Sequence, residues 1–228
     1  MTTKNFKIFV ILTLFFSLKS ISQVIGGVNP NGTNSQLTFT PRDKVDETKE
    51  FKKIAYKMYW NDTIYKATKV DDIIEPVFLR YNIYKDEMEF KNNGKLLFLK
   101  KEKDRVITFQ YTKERFEVYN YDGKLTYFQV HNDEKAKLLS RKFIEYTEAK
   151  AAENSYQKSR PADFRKKEDI FYLKSGNDIT ELSSKKSKFF DAFNDKSNEI
   201  KSYVKKNKLD IDEETDLKKI VLFYNSII

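Results

Sequence analysis

The chain has 228 residues, a formal net charge of +9, 34% charged residues, a single histidine and no cysteine. That length suits one domain, or one domain with an appendage, and is enough to bury a real core. The missing cysteine excludes disulfide stapling, thiolate metal sites, cysteine nucleophiles and the lipid-modified cysteine of a bacterial lipoprotein.

Residues 1–22 read as a cleaved secretory signal: Lys4 and Lys7, an apolar run from Ile8 to Leu18, then Ser20-Ile21-Ser22 at the cleavage positions. A membrane anchor is the rival reading. The apolar run is about half of the roughly 20 residues a spanning helix needs, and Lys19 closes it. Cutting after Ser22 leaves Gln23 first, able to cyclise to pyroglutamate, with no membrane span after it. Lys4, Lys7 and Lys19 leave with the signal and no acidic residue does, so the mature chain is less basic than the whole. Its basic clusters, Arg165-Lys166-Lys167, Lys185-Lys186-Lys188 and Lys205-Lys206-Lys208, have acids close by and read as a solvated surface. No nucleic-acid partner is expected, because export removes it and no recognised module occurs.

Residues 23–50, with Gly26-Gly27, Asn29-Pro30-Asn31-Gly32 and Pro41, read as a flexible leader holding one short strand at 37–39. From 51 to 182, short aromatic and β-branched runs alternate with turn signals, the pattern of an antiparallel sheet. In the stretch from Phe116 to Val130 a hairpin turns near Asp122-Gly123. A two-residue turn divides the apolar groups between both faces. A three-residue loop, Tyr121-Asp122-Gly123, gathers Phe116, Val118, Phe128 and Val130 on one, so the three-residue loop is expected. The same logic around Asn93-Gly94 groups Met88, Phe90, Leu96 and Phe98. Further strands are expected at 63–70, 77–84, 105–111, 138–146 and 170–174, about seven to nine in all, in a meander with one face partly wet.

Residues 183–228 change character and predict three short helices packed on the sheet. Ser184 caps the first, which carries Phe189, Phe190 and Phe193; Ile200, Tyr203 and Val204 mark the second. Asp212 caps the third, where Leu217, Ile220, Val221, Tyr224 and Ile228 form a stripe. That stripe serves either a structural cap or a helix held ready for a partner. The expected class is α+β: an antiparallel β-meander with a C-terminal cluster of three short helices.

The segment from Leu79 to Phe90, and the end of the chain with Lys208-Leu209, an acidic helix start and Phe223-Tyr224-Asn225-Ser226, resemble uncharacterised exported proteins of Bacteroidetes. The resemblance spans 51–228 and implies an envelope or secreted location and no activity. It also makes Asp62-Thr63-Ile64 similar to the Asp-Ser/Thr-apolar acceptor of O-glycans in such proteins, with Thr63 as the candidate site; a polar turn entering a strand is the plain alternative. The sequons at Asn31 and Asn61 carry no information in a bacterial protein. The helical end resembles neither a type IX sorting domain nor an outer-membrane barrel, which favours the periplasm over the cell surface.

Catalytic signatures are sparse. His131 is the one histidine any triad or general base must use, and it sits at a strand end running into a turn, where a locally bonded role is the expectation. No Gly-x-Ser-x-Gly elbow, zinc ligand set, EF-hand loop or phosphate loop occurs, so no cofactor or metal is expected. Carboxylates cluster at Asp86-Glu87-Glu89 and at Asp210-Asp212-Glu213-Glu214 without marking a pair. Trp60, Tyr119, Tyr121, Tyr127 and His131 are the candidate ligand-binding residues on the wetter sheet face. The leading expectation is therefore a non-catalytic envelope protein binding a protein partner or polysaccharide. The alternatives are a hydrolase of envelope carbohydrate using a carboxylate pair, and a structural or assembly protein using its terminal helix.

Overall fold

A computed structural model describes residues 23–28, 34–41, 48–61, 63–152 and 158–228. The expected signal and Asp62 lie outside them. The fold is α+β. Among the described residues, twelve strands form one antiparallel sheet: β1 (Gln23–Val28), β2 (Asn34–Pro41), β3 (Lys66–Val70), β4 (Val77–Asn82), β5 (Glu87–Asn92), β6 (Lys95–Leu99), β7 (Val106–Phe109), β8 (Arg115–Tyr121), β9 (Lys124–Val130), β10 (Ala136–Arg141), β13 (Ile170–Ser175) and β14 (Asp178–Glu181). β11 (Ile144–Thr147) and β12 (Asp163–Lys166) pair separately. More strands form than the expected seven to nine. β1, β12 and β14 are short and polar or glycine-containing, and the span 138–146 divides between β10 and β11.

The spatial order is β1-β2-β6-β5-β4-β3-β7-β8-β9-β10-β13-β14. Hairpins therefore run out from β3 to β6, and β7 restarts at the free edge of β3 and runs the other way. The span read as a flexible leader contributes β1 and β2, with Phe39 opposite Leu99 of β6. The sheet curls strongly. The Tyr127 hydroxyl on β9 donates to the Leu99 carbonyl at 3.5 Å, although β9 and β6 stand far apart in the order. Inside the curl, Phe39, Leu79, Tyr81, Met88, Leu97, Ile107, Phe116, Val118 and Tyr127 pack as the main core.

Both expected three-residue loops are corrected. Tyr121 pairs with Lys124 and Asn92 with Lys95, so Asp122-Gly123 and Asn93-Gly94 are two-residue turns. All four turn residues have positive φ (50°, 74°, 48° and 77°), as a type I′ turn requires, and its twist matches that of the strands. The register places Val118 opposite Tyr127 and Glu117 opposite Phe128. Apolar side chains are thus divided between both faces, and the sheet accommodates this because both are covered. Four consecutive residues of β8, Phe116 to Tyr119, are buried. On the outer face Tyr119, Phe128, Leu139 and Tyr172 form a second cluster.

The curl's inner face continues onto β10 and β13, where Ala136, Leu138 and Leu173 are covered by α2 (Lys186–Asp191), α3 (Ser197–Asn207) and α4 (Glu214–Ser226). Leu217, Ile220, Val221 and Tyr224 of α4 are buried there beside Phe189, Phe193 and Ile200. Two expected caps move. α2 starts after Lys185 with no side-chain cap, and Ser183, not Ser184, accepts from the Lys185 amide. α4 starts after Glu213 rather than Asp212, because Asp210 and Asp216 oxygens take the Asp212 and Asp210 amides. An additional N-terminal helix, α1 (Lys49–Ile54), is capped by Thr48 and packs its Phe51 ring on Tyr84, Tyr146 and Phe164.

Candidate functional site

A concavity with mixed aromatic and polar walls begins with the turn that follows α1. A 3-10 helix at Ala55–Met58 leads into Tyr59, which bridges to Asn82, and the Trp60 amide donates to the Tyr81 carbonyl at 2.9 Å. Asn61 then takes a left-handed φ of 63°, a conformation that costs energy in any residue but glycine and turns the chain sharply toward β3. From the other side β12 brings Phe164 and Lys166. Tyr56, Lys57, Tyr59, Asn61, Thr63, Phe164 and Lys166 together line a groove of about 510 Å³, within the usual range for small-ligand sites. The Lys57 ammonium reaches Asp163 at 2.5 Å, closing the two walls together. Hydrogen bonding to Asp163 raises the Lys57 pKa, so this lysine is charged at neutral pH.

Beneath the groove lies a buried ion pair. Arg80 donates from Nε to Glu89 at 2.8 Å, and Asn82 donates to the other Glu89 oxygen at 2.9 Å. Glu89 is 0% exposed. The remaining donors of Arg80 point at the groove wall: Nη2 to the Tyr59 hydroxyl at 2.7 Å and Nη1 to the Thr63 carbonyl at 3.1 Å. The guanidinium is held between the rings of Tyr59 and Tyr65, 3.9 and 4.6 Å from their centroids. A planar fork with several fixed donors can orient two wall residues at once, which a lysine cannot do.

Of the residues singled out from sequence, Thr63 lines this groove and is exposed. Trp60 stands just behind it. Its Nε1 donates to Glu114 at 2.9 Å, and the ammonium groups of Lys142 and Lys166 lie 4.2 and 5.9 Å from its ring centre. The other aromatics go elsewhere, so the five candidates do not share one face. Tyr119 and Tyr121 lie on the outer face, where Tyr121 packs edge-on against Phe128 and Tyr172 and Arg141 covers the cluster. Tyr127 is 1% exposed in the core, out of reach of a ligand. Tyr56, Lys57, Asn61, Phe164 and Lys166 were not foreseen. Asn61 stood beside a residue of interest and Lys166 in a basic cluster read as solvated surface, whereas Phe164 arrives from a distant strand with no local signal.

His131 belongs to a different constellation, between the sheet and the start of α4. Its Nε2 lies 2.8 Å from Ser140 Oγ, and its Nδ1 lies 3.3 Å from Glu214 Oε1. Serine, histidine and acid stand in the order of a hydrolytic triad. Access decides against that chemistry in this conformation, because Ser140 is 0% exposed on β10, between β9 and β13, and no carbonyl carbon can approach it. Burial, aided by the Lys218 and Lys142 charges and opposed by Glu214, pushes the His131 pKa down to about 4. Burial works to raise the Glu214 pKa, but the Lys218 hydrogen bond with the His131, Lys218 and Lys142 charges outweighs it and holds Glu214 below the usual range.

Glu214 also borders a cleft of about 750 Å³ whose rim carries Glu168, Asp169, Glu181, Asp212 and Glu213 over Phe171, Leu182 and Leu217. A general acid for glycoside cleavage needs a raised pKa, and Glu214 is shifted the opposite way. Among the described residues no cluster of histidine and acidic side chains is arranged to hold a metal ion, and no helix is long and apolar enough to cross a membrane. Neither a protein-family model, a curated protein nor a solved structure matches this chain. Its function must be read from its own geometry.

Proposed function

We propose that this is an exported, periplasmic, non-catalytic binding protein that takes a saccharide in the groove between Tyr56 and Lys166. One observation carries the reading: a concavity of about 510 Å³ combines tyrosine rings with amide, hydroxyl and ammonium groups, and a buried Arg80–Glu89 pair fixes its wall. Aromatic faces stack on the C–H faces of sugars, and the polar groups meet hydroxyls. A preorganised wall lowers the entropic cost of binding. The export signal, the periplasmic address and kinship with exported Bacteroidetes proteins belong to the same proposal. Mass analysis of the mature protein is expected to find Gln23, or its pyroglutamate, at the N-terminus, and will report any glycan on Thr63.

Titration of the mature protein with a panel of envelope-type oligosaccharides, followed by amide NMR, tests the groove. Shifts are expected at Tyr56, Asn61 and Lys166, and Tyr56→Ala is expected to weaken binding about tenfold, by loss of one exposed aromatic contact. A panel that moves only residues of the acidic cleft would sink the reading. The density of carboxylates around that cleft favours a second reading, a hydrolase of envelope carbohydrate. Its test is release of reducing ends by the wild type that Glu213→Gln abolishes.

A further inference from the structure

The charges of the two concavities are opposite in kind. The larger cleft is rimmed by carboxylates and has no lysine or arginine in its lining, whereas the groove is lined by Lys57 and Lys166 and by no carboxylate among the described residues. Asp163 neutralises Lys57, and Glu89 neutralises the Arg80 guanidinium beneath. Lys166 differs. Among the described residues no carboxylate lies within ion-pair reach of its ammonium, which stands 5.9 Å from the Trp60 ring at the mouth of the groove. Its neighbours on the same wall are fixed: Phe164 is buried among Phe51, Tyr84 and Tyr146, and Asp163 is tied to Lys57. Across the groove Tyr56 is 60% exposed and offers an open ring face.

We infer that the occupant is an anionic sugar, with its pyranose ring on Tyr56 and its acidic group on Lys166. This rests on the binding role proposed for the groove and adds the ligand's charge to it. Among the described residues Lys166 is the one lining cation without a counter-charge: a neutral saccharide leaves it so, and a multiply charged polymer meets only that cation. A single carboxylate or phosphate on a hydroxylated ring matches the lining as it stands. Thr63 then faces the ring hydroxyls, beside Asn61, whose side-chain amide donates to Glu114 at 3.5 Å, and the anion is met by a charge-assisted hydrogen bond.

The test is calorimetric titration of the mature protein with three probes: galacturonic acid, its methyl ester, and mannose 6-phosphate. The first and third separate a carboxylate from a phosphate as the anion, and tighter binding of either than of the neutral ester supports the inference. The ester keeps the ring and removes the charge, so it is expected to bind about tenfold more weakly than the free acid, and added salt is expected to weaken only the acid. Lys166→Gln, at an exposed position without an ion pair among the described residues, is expected to keep the melting temperature and erase the difference between acid and ester. Equal affinity for acid and ester in the wild type overturns the anionic assignment while leaving the binding role intact. Loss of all binding in Tyr56→Ala with no change in Lys166→Gln overturns it as well. If none of the three probes binds, both the assignment and the groove's binding role fall.

Discussion

Glu89 is the residue on which the groove wall depends most. It sits on the outer face of β5 with no exposure, bonded to Arg80 and Asn82, and Arg80 in turn holds Tyr59 and Thr63. Glu89→Ala strands a buried guanidinium, and a loss of about 3–5 kcal/mol is expected in urea unfolding. Arg80→Met together with Glu89→Leu is expected to recover much of that stability but not ligand binding, because an apolar pair packs without orienting the wall. At His131 the consequence is pH dependence. Its folded pKa, about 4, lies below the ordinary value of 6.5, so between these two values the unfolded chain binds more protons. Stability is complete above about pH 6.5 and falls as pH drops toward 4, by roughly 2–3 kcal/mol. Glu214, held below its usual range, adds a loss of the same sign at lower pH. In His131→Gln, denaturation midpoints followed across this window are expected to fall less steeply.

Among the elements, α4 is fastened at both ends. At its start Glu214 meets His131. At its end the Asn225 amide donates to the Ala136 carbonyl at 2.8 Å and accepts from the Ala136 amide at 2.7 Å, imitating a neighbouring strand at the first residue of β10. Asn225→Ala leaves the Ala136 amide bare beneath the helix, while its carbonyl keeps the Asn132 side-chain amide at 2.7 Å, and a cost of about 1–3 kcal/mol is expected in thermal melts. The apolar stripe of α4 was readable in the sequence from its helical spacing. Its cap was displaced by one residue, because Asp210 and Asp216 spend their oxygens on loop amides that spacing does not reveal. Hairpin positions were readable too, from Asp122-Gly123 and Asn93-Gly94. Their register was not, since gathering apolar groups on one face presumes a sheet covered on one side only. The run Phe116-Glu117-Val118-Tyr119, buried throughout, is the mark of a sheet covered on both. Of the site, Trp60 and Thr63 came from local sequence, and Lys166 did not, because β12 is four residues long and gains its place by pairing with β11 and packing Phe164 against α1.

At the scale of the molecule, the curled sheet separates two electrostatic territories, a carboxylate-rimmed cleft under the helices and a lysine-lined groove beside α1. One wall of that groove comes from Tyr56, Lys57, Tyr59, Asn61 and Thr63, in the first third of the chain, and the other from Phe164 and Lys166, about a hundred residues later. The site therefore exists only where distant parts of the chain have come together, and no short stretch of the sequence contains it. A ligand that bridges the walls binds the folded state and not the unfolded one, so at a hundred times its Kd it adds about 2.7 kcal/mol to stability. Thermal unfolding with and without ligand is expected to show that shift over the whole cooperative transition. In a compartment rich in proteases, the groove would make occupancy a determinant of lifetime, with the empty protein cleared sooner than the loaded one.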